Sequence, residues 1–154
     1  MNRFVLFFVA AVFCATASAA LADDAAQKKV IHDYVLSMDK INAMQAMKDE
    51  EKNLIKNNPA FVKQVTQAEI TEKNYGTEED KLANIPPLVA LYRKHGLTPA
   101  DVVIMPQALL CAGMAVQIPS LASKLSAQTS PAQIAFYKAH AAELHKIRWL
   151  NGGG

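Results

Sequence analysis

Alternating apolar and polar runs of the kind that make strands are nearly absent from these 154 residues, and so are the short motifs that mark common active sites. There is no G-x-S-x-G, no H-E-x-x-H, no C-x-x-C-H and no glycine-rich phosphate loop. Nucleophile-elbow hydrolases, zinc proteases, c-type haem attachment and P-loop chemistry are excluded on those grounds. Cysteine is scarce, with two in the whole chain, and no Asn-x-Ser/Thr acceptor occurs. Charge of one sign is also missing: 16 basic and 14 acidic side chains are interspersed. That balance lacks the basic stripe of a nucleic-acid binder and the basic amphipathic face of a membrane-surface helix.

What is present begins with an export signal. Asn2-Arg3 gives a short positive start, Phe4 to Ala15 is almost continuously apolar, and Ala20-Leu21-Ala22 precedes Asp23-Asp24. This order predicts a secretory signal over residues 1–22, cleaved after Ala22. The apolar run is short for a bilayer span. Cys14 lacks a lipoprotein lead-in, so no lipid anchor is expected. The expected product is a helical domain over 23–150 with a frayed tail at 151–154, periplasmic or secreted. Losing Arg3 leaves 15 basic and 14 acidic groups, a formal charge of +1. It also leaves Cys111 as a lone thiol, read as a small core residue.

Helix signals recur from there on. A first helix is expected over about 25–56, with Ile31, Tyr34, Val35, Met38 and Ile41 on one face and Leu36, Ala43, Met44 and Met47 on another. Asn58 is placed to cap a second helix that has Pro59 first and Phe61, Val62 and Val65 as anchors. Asn74-Tyr75-Gly76 reads as a turn. Thr77 caps a third segment, which Pro86-Pro87 breaks or restarts and His95-Gly96 ends. Thr98-Pro99-Ala100-Asp101 opens a central helix that is apolar nearly all round from Val102 to Ile118, with a kink expected at Pro106. Leu121 and Leu125 suggest a helical turn in the connection that follows. Ser130-Pro131-Ala132-Gln133 opens a last helix running to about Leu150. The fold class is therefore all-α: a single compact bundle of about five helices with proline kinks around a central apolar helix.

Candidate chemistry is thin. His140 falls within the apolar arc of the last helix, and with Met38 it could form an axial haem pair in a four-helix arrangement like that of cytochrome b562. His140 and His145 are about 140° apart on a helix and cannot share a metal as an i, i+4 pair would. Met38, Met44 and Met47 could suggest a copper(I) site, but Met38 and Met47 point in opposite directions and core filling explains all three. His140-Ala141-Ala142-Glu143 reverses the Glu-x-x-His order of di-iron bundles and occurs once. The acids Asp49-Glu50-Glu51 and Glu78-Glu79-Asp80 read as solvated faces and dipole partners, and His32 and His95 as solvated. No residue is assigned as catalytic, and no metal or cofactor is expected. The proline breaks, Gly113 and the many alanines leave room for a cavity that could hold a small apolar ligand.

Three stretches resemble a group of small exported, all-helical proteins of Gram-negative bacteria with no assigned activity. They are Tyr34-Val35-Leu36-Ser37-Met38-Asp39-Lys40-Ile41, Gly96-Leu97-Thr98-Pro99-Ala100-Asp101 with Ala108-Leu109-Leu110, and Ser130-Pro131-Ala132-Gln133-Ile134-Ala135-Phe136-Tyr137-Lys138-Ala139-His140. The resemblance implies a periplasmic or secreted home and brings no catalytic residues. The expectation is a non-enzymatic domain that binds a protein partner or an envelope component, with no nucleic acid and no membrane span in the mature chain. The alternatives are a haem- or metal-binding bundle and a carrier of a small apolar ligand.

Overall fold

A computed structural model describes residues 21–71 and 77–151; the side chains of residues 21–24, of 69–71 and of Asn151 are outside the description. The signal segment before Leu21, the Asn74-Tyr75-Gly76 turn and the final three glycines therefore lie outside it. Among the described residues there is no strand, and the all-α class holds. The helices are α1 (Leu21–Asp33), α2 (Met38–Asn57), α3 (Pro59–Thr71), α4 (Glu78–Ala83), α5 (Pro86–Lys94), α6 (Pro99–Gln117), α7 (Pro119–Leu125) and α8 (Pro131–Leu144). A 3-10 turn at Arg148–Asn151 closes the described chain.

Among the described residues eight helices replace the expected five, for three local reasons. The long first helix is split at Tyr34–Ser37. No proline or glycine marks the break, but Gln133 Nε2 donates to the carbonyls of Ile31 (2.7 Å) and Tyr34 (2.8 Å). In an unbroken helix those carbonyls would accept from Val35 and Met38. Ser37 then restarts the chain, in extended geometry, by accepting from Lys40 N–H. The second split follows Ala83, and Pro86-Pro87 occupy the first two positions of α5, where a missing N–H costs nothing. The third addition is α7, which turns the suggested turn around Leu121 and Leu125 into a helix.

The caps follow the residues that signal them. Asn58 Oδ1 accepts from Phe61 N–H at 3.0 Å and starts α3. Thr77 with Asp80, Thr98 with Asp101 and Ser130 with Gln133 form three reciprocal capping boxes. Gly96, at φ 70°, ends α5: Leu97 N–H donates to Tyr92 O and Gly96 N–H to Arg93 O, both orphan carbonyls of the last turn. Leu97 is buried just beyond.

The last helix ends earlier than expected, at Leu144 rather than about Leu150. Gln45 Oε1, reaching over from α2, accepts from the N–H groups of Arg148 (3.0 Å) and Trp149 (3.3 Å), and Arg148 pairs with Asp49 at 2.5 Å. Asn151, expected in the frayed tail, belongs to this anchored turn.

Ile41, Met44, Met47, Met105 and Leu109 are the largest side chains fully removed from water, so Met44 and Met47 do fill the core. Met38 is half-buried and packs against that core, whereas Val35, expected on the same face as Ile41, is 79% exposed. Helix α6 crosses the middle of the domain and packs against α8 and α7 most extensively. It is long and apolar enough to cross a membrane by length and composition, and half of it is buried inside the domain. Pro106 lies inside α6 without ending it, and Gln107 Nε2 donates to Val103 O in that turn.

At Gly113 the Tyr137 ring of α8 lies directly against α6. A Cβ there would meet the Tyr137 ring at 3.0–3.2 Å, and Gln117 Nε2 donates to the Tyr137 hydroxyl at 3.1 Å. A bulky residue at 113 must displace the Tyr137 ring and its bond from Gln117. Gly113→Leu should lower stability by about 1–3 kcal/mol in urea unfolding. In Gly113→Ala the gain in helix propensity, about 1 kcal/mol, offsets the tight contact and the net change should be small. Equal tolerance of both side chains would show that the helices are not in close contact.

Candidate functional site: the elbow between α1 and α2

The short extended link Tyr34–Ser37 is held from two directions. On one side is Asp101, the third residue of α6, which is 3% exposed. Its Oδ2 closes the capping box by accepting from Thr98 N–H and Thr98 Oγ1, both at 2.9 Å. Its Oδ1 accepts from the Tyr34 hydroxyl and the Lys40 ammonium, both at 2.6 Å. On the other side is Gln133, the third residue of α8, which is 2% exposed. Its Oε1 accepts from Ser130 N–H while its Nε2 serves the two carbonyls of the elbow.

Burial by itself would raise the Asp101 carboxyl. The hydrogen bonds from Lys40, Tyr34 and Thr98 outweigh it and hold the group at about 2, against 3.8 for a free aspartate. Tyr34 is pushed far above the usual phenol range by burial and by its bond to the Asp101 carboxylate, so it stays a protonated donor. The Lys40 ammonium also stands 5.5 Å from the centre of the Tyr34 ring.

Beside this joint lies an open groove of about 400 Å³. His32, Asp33, Tyr34, Val35 and Leu36 form one wall, and Ser130, Ala132, Gln133 and Phe136 form the other. Val35 stands at the rim, and Val30, one turn back on α1, is 50% exposed. The rim is charged but self-paired: His32 Nδ1 lies 2.9 Å from Asp33 Oδ1, and Lys29 pairs with Asp33. Hydrogen bonds from Lys29 and His32 lower the Asp33 carboxyl. Asp101, Tyr34 and Gln133 are committed to structural bonds.

The other singled-out residues lie elsewhere. His140 rests its ring against Phe136, with centroids 4.6 Å apart, and its Nδ1 is 3.4 Å from Glu143 Oε1. Those contacts stay within α8, whereas Met38 packs on the core from α2. Among the described residues no three His, Cys, Asp or Glu side chains gather as a metal-ligand group. Cys111 is buried and free, and burial raises its thiol. The Thr129 hydroxyl beside it opposes that rise without reaching hydrogen-bond geometry.

Two expectations about charge need correction. His95 is not solvated: its side chain is 17% exposed and its Nε2 lies 2.9 Å from Glu50 Oε2. Nor are Asp49-Glu50-Glu51 a free acidic face. Asp49 holds Arg148, Glu50 holds Lys94 and His95, and Glu51 pairs with Lys48. Lys94 first and His95 second lower the Glu50 carboxyl.

The elbow itself escaped sequence reasoning because its holders come from 60 to 100 residues away. The available signal was Ser37, a capping residue inside a long apolar period, followed by an acid at Asp39. The chain has no match among protein-family models, curated proteins or solved structures.

Asp101→Asn replaces one acceptor oxygen with an amide donor, so either the Tyr34 and Lys40 donors on Oδ1 or the two Thr98 donors on Oδ2 lose their acceptor. Asp101→Asn should cost about 3 kcal/mol of stability, and Tyr34→Phe about 1 kcal/mol. The folded-state value lies below the unfolded one, so the charged carboxylate favours the fold. Its contribution, about 2 kcal/mol, is complete above pH 4 and disappears as pH falls toward 2. Chemical denaturation across that range should therefore show the gap between wild type and Asp101→Asn closing on acidification. A gap independent of pH would remove the carboxylate from the account.

Proposed function

We propose that this chain is an exported, non-enzymatic helical domain that binds a protein partner or a component of the cell envelope through the elbow groove. The observation that carries the reading is the pairing of a well-held backbone with exposed apolar side chains. Val35 projects into solvent from a link whose neighbours, Asp101 and Gln133, are buried and fully bonded. Exposed apolar groups on a fixed support lose little conformational freedom when covered, which favours recognition. The signal-like segment of residues 1–22 supports the compartment.

A second reading, a carrier of a small apolar ligand, draws on the groove's size, which falls in the range of ligand sites. The haem or metal reading has less behind it, because His140 is engaged with Phe136 and Glu143 on its own helix.

Site-specific photo-crosslinking in cells tests the first reading. A photoreactive residue at Val35 or Ala132 should give discrete adducts, while one at Ile55, exposed on α2, should not. Val30→Asp should weaken the Val35 adduct. Adducts of equal yield from Val35 and Ile55, or none from the groove positions, would count against the groove. Native mass spectrometry of the purified protein with a retained lipid mass would favour the carrier instead.

A further inference from the structure

The closing turn, Arg148–Asn151, is fastened to the domain differently from the elbow. The elbow hangs on two buried side chains, Asp101 and Gln133. The turn hangs on Gln45 and Asp49, which are only half-buried on α2. Among the described residues its hydrogen bonds to the rest of the domain all run to that helix. Gln45 Oε1 takes the N–H groups of Arg148 and Trp149, and Asp49 Oδ2 takes the Arg148 guanidinium. The Ile41 carbonyl takes the Trp149 indole N–H at 3.4 Å, long for such a bond. The ion pair stands in water, with the Arg148 and Asp49 side chains 65% and 44% exposed, where pairs contribute little and salt screens them. Trp149 and Leu150 are half-buried, whereas Leu144 and Ile147, just before them, are buried.

We infer that Arg148–Asn151 is a strap that opens from α2 and closes again while the helices stay folded, pivoting after the buried Ile147. Segments that bury little apolar surface and hang on exposed bonds open at lower cost than the whole domain. The side chains most fully removed from water, Ile41, Met44, Met47, Met105 and Leu109, lie in α2 and α6, and none belongs to the strap. Its release is also concerted, because one side chain, Gln45, holds two successive amides and donates to Asp49 Oδ1 at 3.1 Å. Losing that one anchor loosens both amides and the carboxylate that grips Arg148. Ile41, Gln45 and Asp49 follow one another at four-residue spacing, on one face of α2. Each presents an acceptor to the strap, so closure masks a row of acceptors and opening bares it. Ionic strength sets the balance: salt screens the Arg148–Asp49 pair and favours the open form.

Trp149 is the single tryptophan of the chain, so its fluorescence reports the strap alone. Amide hydrogen exchange of the purified protein, read by NMR, supplies the second measurement. The Arg148 and Trp149 amides should be protected at least tenfold less than those of Ile104 and Leu109 in α6. Gln45→Met keeps the length of the side chain and removes its acceptor. It should speed exchange of both strap amides about fivefold and leave Ile104 and Leu109 unchanged. Raising salt from about 0.01 M to about 0.5 M should increase acrylamide quenching of Trp149 with far-UV circular dichroism constant. In Asp49→Asn, which lacks the ion pair, quenching should be high at both salt concentrations. Strap amides released only together with those of α6, or substitutions that speed all four amides alike, would make the turn part of the global fold and overturn the inference. Strap amides and quenching indifferent to both substitutions and to salt would overturn it as well.

Discussion

Two buried polar side chains, Asp101 and Gln133, do the same job from opposite sides, and most of the tertiary arrangement follows from them. Each is the third residue of a helix opened by the pattern Ser/Thr-Pro-Ala-Asp/Gln, and each closes its own capping box. In doing so each presents its remaining polar atoms to one short stretch of chain, Ile31 to Lys40. A local device for starting a helix thereby becomes a long-range connector. The positions of α6 and α8 relative to the α1–α2 link are set by bonds that also stabilise the starts of those two helices.

The fold class was legible because it rests on local chemistry. Capping boxes, prolines at first helical positions and the glycine at 96 act within four residues of themselves, and each appears where the residues place it. The apolar circumference of α6 likewise announced a central helix. The misreadings share one cause. Tyr34 and Val35 continue the apolar period of α1 and α2 faithfully, and only a glutamine a hundred residues later removes the carbonyls that an unbroken helix needs. The early end of α8 has the same origin, since Gln45 captures amides that lie outside its own neighbourhood.

The site was less legible than the fold for a related reason. A groove forms where elements meet, and its wall at Ala132 and Phe136 looks in sequence like an ordinary helix start. Val35 illustrates the limit: periodicity assigns it inward, the elbow turns it outward, and its role reverses. The charged residues behave similarly. Asp49, Glu50 and His95 have the composition of a solvated surface, but they tie the end of α5 and the terminal turn to α2. Charge pattern along one helix gives no warning of a partner carried by another.

The two connectors differ in one respect that their shared pattern conceals: one is ionisable and the other is not. An amide keeps its donors and acceptors at any pH a cell meets, whereas a carboxylate loses an acceptor when it takes up a proton. The elbow is consequently asymmetric as a joint. Strong acid loosens the side toward α6, through Tyr34 and Lys40, and leaves the side toward α8 fastened. Acid thus acts on one side of the joint only, with the two Gln133 bonds to the Ile31 and Tyr34 carbonyls kept as those of Asp101 weaken.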